Sequence, residues 1–281
     1  MLKVSLILLG LIALLSIGSL WAQSPGRRDT SLSANQIRVS ATRRPQTVDL
    51  SEIRDLPAPV KKYFRLVLKD GAPIIHTVSM SQTGGFRAKP DIQGWSNLQA
   101  QQLFSTRPPA FVWDASIAIV PGITIHVRDS YLNGKGAMRV KLFSLLPLMD
   151  VQNKRELNEA ALQRYLAEAV WFPTALLPSQ GVTWSELAPH RASASITDSG
   201  NRVSLEFEFN VRGEIISIYS PARYREVSGA YEPTPWKGYF SDYIEVDGYL
   251  IPTSAKVEWH LPDQVYPYWQ AKLHNIRYPA D

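Results

Sequence analysis

The sequence predicts a mainly β (α+β) fold: a curved antiparallel sheet forming an open barrel or half-barrel around one principal helix. Three observations predict it. Apolar residues recur with a period of two over most of the chain beyond residue 74. Only one long stretch, near residues 153–173, holds a wide helical pattern. Twenty prolines and sixteen glycines in 281 residues leave little room for further long helices.

The first segment reads as a targeting element. Lys3 is followed by the uncharged run Val4 to Trp21, which as a helix spans about 27 Å, close to the hydrocarbon thickness of a bilayer. Residues 1–22 are therefore expected to be a signal peptide or an N-terminal membrane anchor, and to supply the protein's contact with a membrane. Leu20 is a poor partner for Ala22 in a cleavage site, which favours a retained anchor. Arg27 and Arg28 outweigh Lys3 and pull toward a cytoplasmic body; export to the bacterial envelope or periplasm is nevertheless the preferred expectation. Residues 23–50, rich in Ser, Thr, Arg and Gln, read as a polar linker, and residues 51–281 as a single β-rich, monomeric domain.

Within that domain a short helix is expected over 51–69, where Pro57 and Pro59 break the first turn and Val60, Phe64, Val67 and Leu68 form an apolar stripe. Strands are expected over 74–87, 98–106, 110–119, 124–132 and 137–143. The tight-turn sequence Asn133-Gly134-Lys135-Gly136 pairs the last two. Asn153 and Glu156 stand at capping-box spacing before the principal helix, whose apolar arc runs from Leu157 to Val170 and ends at Pro173. Five more strands follow over 192–197, 202–210, 214–219, 239–246 and 249–259. Among them, Val203, Leu205, Phe207, Phe209 and Val211 alternate with polar residues. About ten strands in one sheet must curl to hide the apolar face.

Composition excludes several functions. The absence of cysteine removes disulfides, thiolate metal sites and cysteine nucleophiles. The formal charge of +5 is too small to mark a nucleic-acid footprint, and the arginines gather near the N-terminus. Nucleophile-elbow, zincin, Walker and dinucleotide motifs are missing, and the five histidines lie far apart. No cofactor, metal or catalytic residue is assigned.

One carboxylate stands out. Alternation places Asp129 on the inward face with Ile125, Val127 and Tyr131, while His126, Arg128, Arg139 and Lys141 form a basic patch on the other face. An inward acid must be protonated, hydrogen-bonded or matched with a cation. Arg164 is the candidate cation, with Glu168 one helical turn away at the edge of the apolar arc, so that the three form a buried cluster. The cluster reads either as a structural pin or as a ligand head-group site or acid/base pair. With Tyr131, Trp171, Trp184 and Trp236 it forms the candidate ligand-binding set, although rings of this size also serve to fill a core.

The run from Arg164 to Pro178, RYLAEAVWFPTALLP, resembles the signature of an uncharacterised bacterial family, domain of unknown function 6544. Asp129-Ser130-Tyr131, Trp184, Pro235-Trp236-Lys237-Gly238 and Gly248-Tyr249-Leu250-Ile251-Pro252 resemble its remaining motifs in order. The resemblance implies no activity. In shape, the expected sheet around a helix is similar to the lipoprotein-carrier folds of the bacterial envelope, which shelter acyl chains. The leading expectation is a noncatalytic envelope protein binding a lipid or other hydrophobic ligand between sheet and helix. A structural or interaction module without ligand is the alternative. A hydrolase or transferase using Asp129 or Glu168 as acid or base is a second alternative.

Overall fold

A computed structural model describes residues 46–279. Thirteen strands form one antiparallel sheet: β1 (Thr77–Phe86), β2 (Ser96–Thr106), β3 (Pro109–Val120), β4 (Ile123–Leu132), β5 (Lys135–Leu142), β6 (Leu146–Gln152), β7 (Thr183–Ala188), β8 (Arg191–Asp198), β9 (Asn201–Phe209), β10 (Ile215–Val227), β11 (Ala230–Val246), β12 (Tyr249–His260) and β13 (Val265–Arg277). The helices are α1 (Ala58–Val67) and α2 (Arg155–Glu168). The spatial order is β6-β5-β4-β3-β2-β1-β13-β12-β11-β10-β9-β8-β7. Two hairpin-built wings thus join where β13 pairs with β1, and the edges β6 and β7 stay unpaired with each other, leaving the sheet open.

The helix forces the curvature. α2 packs on β3, β4 and β5 from one wing and on β9 and β10 from the other, so the sheet must bend around it to bring distant strands to one helix. The wing ends also meet. The Tyr131 hydroxyl donates to Asp198 at 2.7 Å, and Asn201 Nδ2 donates to the Gly134 carbonyl at 2.8 Å. These bonds tie the β4–β5 turn to the β8–β9 turn. In the β4–β5 turn Asn133 and Gly134 both have positive φ (51° and 76°), the conformation that an Asn-Gly pair favours.

Nearly every side of α2 is buried, including Leu157, Ala161, Leu162, Tyr165 and Leu166. Its tyrosine meets Phe172 at 5.6 Å between ring centroids, and Phe172 meets Phe104 at 4.6 Å. α1 buries Val60, Tyr63, Phe64 and Val67, with Tyr63 edge-on to Phe209 and Phe64 edge-on to Trp184.

Several expectations differ in detail. Residues 50–53 form a 3-10 turn, capped where Asp49 accepts from the Ser51 amide, and α1 begins only after Pro57. The Asn153 capping box does not form: Asn153 has φ 54°, Lys154 precedes the helix, and neither caps it through a side chain. Val211 lies in the β9–β10 turn, 79% exposed, rather than on the apolar face. At the end of the expected linker, Val48 is buried and Thr47 bridges to Pro73.

The expectation of a membrane-spanning helix is corrected. Among the described residues no helix is long and apolar enough to cross a membrane; α1 has 10 residues and α2 has 14. Residues 4–21, on which that expectation rested, lie outside the described residues.

Candidate functional site

The concave face gathers a charged cluster around Arg164. Strand alternation turns Asp129 inward from β4, and α2 carries Arg164 and Glu168 on the side facing β2 to β4. Arg164 Nη1 donates to Asp129 at 2.7 Å and Nε donates to Glu168 at 2.8 Å. The guanidinium lies 5.0 Å from the Phe111 ring and 4.9 Å from that of Trp113, a desolvated cation–π arrangement. The second oxygen of Glu168 accepts from Gln102 Nε2 at 2.7 Å. Gln102 in turn accepts from Gln82, and Gln82 accepts from the Trp113 indole. The chain of bonds therefore closes on the same tryptophan that faces the arginine.

Electrostatics follow from this enclosure. Burial opposes the Arg164 charge, but Glu168 and then Asp129 outweigh it and hold the guanidinium above its ordinary value. Burial pushes the Glu168 carboxyl up against the pull of Arg164 and Gln102. Both oxygens of Glu168 and one of Asp129 accept from donors, an arrangement suited to fixing a helix on a sheet.

The other candidate residues lie elsewhere. Tyr131 belongs to the tie between the wings. Trp171 is 1% exposed and packs edge-on to Phe104. Trp184 donates to the Leu176 carbonyl and packs on Phe64, Phe207 and Phe209. Trp236 stands opposite Arg223, whose guanidinium carbon is 4.7 Å from its ring, and donates to the Tyr268 hydroxyl. The structure thus joins Asp129, Arg164 and Glu168, and distributes the four aromatic residues. The basic patch is largely neutralised, with Arg128 bound to Asp114 and Arg139 to Asp150.

Sequence reasoning missed Gln82, Gln102 and Arg223. The two glutamines carried the signal that revealed Asp129, a polar residue at an inward position of an alternating strand: Val78, Met80, Gln82 and Leu98, Ala100, Gln102, Phe104. Arg223 lay beyond the expected end of its strand, so no face was assigned to it. Among the described residues no three His, Asp or Glu side chains converge as a metal site. An open depression of about 420 Å³ lined by Thr83, Tyr239, Lys256 and Lys272 shares no residue with the cluster.

Residues 54–278 match a family described as "Family of unknown function (DUF6920)". The chain belongs to this family. The number read from the sequence motifs, 6544, is corrected accordingly; what holds is membership of an uncharacterised domain family. No curated protein matches. A solved structure similar to this DUF6920 chain is described as a LolA superfamily protein from Nitrosomonas europaea, at 8% identity and a TM-score of 0.38, covering 79% of this chain and 93% of that one.

Proposed function

We propose that this protein is a noncatalytic interaction module that meets a lipid surface through the apolar ends of two neighbouring hairpins. The observation that carries the proposal is the exposure of large apolar side chains at the β3–β4 and β5–β6 turns. Leu145 is 71%, Leu148 60% and Leu146 57% exposed, beside Val120, Ile123 and Phe143. Residues 117–127 and 140–149 contain no Asp or Glu. Behind the tips lies a row where His126 pairs with Lys141; in the next row Arg128 and Arg139 are held by Asp114 and Asp150. Lys141 stands two to three residues from the β5–β6 tip, roughly 7–10 Å at the rise of a strand. That layering suits apolar groups entering the head-group region with Lys141 at its edge.

The interior supports the noncatalytic part. Both oxygens of Glu168 and Oδ2 of Asp129 already accept from Arg164 and Gln102, which ties up the two carboxylates considered as acid or base. Between α2 and the sheet, Leu162, Tyr165, Leu166, Phe104, Phe111 and Phe172 are all at most 2% exposed, so side chains already occupy the space in which a ligand was expected. A second reading, a hydrophobic ligand bound beside the helix, is favoured by the partly exposed Tyr268, which stacks on Trp259 at 5.8 Å and meets Phe86 at 6.4 Å. The uncharged run over residues 4–21 supports a place in the bacterial envelope.

Because the chain has no cysteine, Leu145→Cys creates a single labelling site. An environment-sensitive fluorophore there is expected to shift to the blue on addition of phosphatidylglycerol-containing vesicles, while the same label at Val211→Cys does not shift. An unshifted spectrum at residue 145 would overturn the proposal.

A further inference from the structure

Arg223 stands on β10 opposite Thr234, just past a bulge that follows Ser220. Its hydrogen bonds to described residues both leave from Nη1, to the Ala160 carbonyl at 2.6 Å and to Gln163 Oε1 at 3.5 Å. Nε is enclosed and has no hydrogen-bond partner among the described residues. The edge formed by Nε and Nη2 is the side of a guanidinium that grips a carboxylate or phosphate with two parallel bonds. No carboxylate among the described residues forms an ion pair with Arg223. Asp129 and Glu168 are both held by Arg164 and act on Arg223 only through space.

We infer that Arg223 is the head-group site for an oxyanion, carboxylate or phosphate, carried on an apolar tail. The tail is argued from the walls. Trp236 lies under the guanidinium and donates to Tyr268, which stacks on Trp259. Arg223 and Tyr268 both keep partly accessible surface, yet burial governs the ionisation of each, lowering the first and raising the second. Both side chains thus remain reachable while resting against the Trp236 and Trp259 rings. An anion bound there offsets the cost of a buried guanidinium without a paired counter-charge. The inference gives the second reading above its ligand chemistry and does not depend on the hairpin ends.

The test is calorimetric titration of the full chain with sodium octanoate, octanol and inorganic phosphate. Octanoate is expected to bind about tenfold more tightly than octanol, the increment of a charge-assisted two-point contact. It is also expected to bind more tightly than phosphate. Arg223→Gln should abolish the preference for octanoate while leaving octanol binding unchanged; Arg223→Lys, which keeps the charge without the fork, should weaken it and serves if the first variant fails to fold. Equal affinity for octanoate and octanol, or a preference that survives both substitutions, overturns the site. Phosphate binding as tight as octanoate overturns the tail and assigns a free anion. Equal binding of the two tailed probes refutes only the head-group assignment, whereas no binding of either refutes the hydrophobic-ligand reading as well.

Discussion

Replacing Arg164 with alanine removes two charge-assisted hydrogen bonds, at 2.7 and 2.8 Å, and the cation held between Phe111 and Trp113. It leaves Asp129 and Glu168 with side chains only 10% and 11% exposed and no counter-charge beside them. Breaking a buried pair by removing one partner costs about 3–5 kcal/mol, and the residual exposure places this case near the lower end, about 3 kcal/mol. For a domain of this size that lowers the melting temperature by roughly 6–12 °C. Asp129→Asn keeps the Arg164–Glu168 pair and an oxygen that accepts from Nη1, so its cost is about 1 kcal/mol. In the double mutant the stranded Asp129 charge is gone, and the total should fall short of the sum by about 1–2 kcal/mol. Urea unfolding followed by tryptophan fluorescence measures all three. Single effects that add within about 0.5 kcal/mol, or an Arg164→Ala cost below about 1 kcal/mol, would refute the docking of α2 on β4 as described.

Two further outcomes follow from the same packing. Burial raises the Glu168 carboxyl above its ordinary value of 4.5, so the folded state takes up that proton more readily than the unfolded chain. Its contribution to stability is complete below the unfolded pKa and is lost as pH rises through the folded one. Relative to Glu168→Gln, the wild type should lose stability in urea titrations as pH rises from 4.5; a relative gain would mean that Arg164, not burial, sets the carboxyl. A Cβ at Gly136 would stand 2.6 Å from the Leu157 carbonyl oxygen of α2, so Gly136→Ala should push helix from strand at a cost of about 1–3 kcal/mol. An unchanged urea midpoint would show that β5 and α2 do not approach so closely.

Much of the fold was legible because its strands alternate cleanly. The run from Val203 to Phe209 buries Val203, Leu205, Phe207 and Phe209 as its pattern requires. β6 was not legible, since Leu146-Pro147-Leu148-Met149 lacks alternation and is exposed on an edge. β13 carries Pro267 beside a bulge that shifts its register, and two prolines interrupt the sequence of β11. These strands are held by neighbours rather than by local pattern. At the site, Asp129 and Arg164 were readable from face and helical spacing. Arg223 was not, because its orientation depends on a bulge that no local pattern announces.

The central claim, contact with a lipid surface through the β3–β4 and β5–β6 ends, is tested most directly by hydrogen–deuterium exchange of the full chain with and without phosphatidylglycerol-containing vesicles. The account predicts added protection over residues 119–125 and 142–149, with the β8–β9 and β9–β10 turns unchanged. Protection that spares both hairpin ends would contradict it.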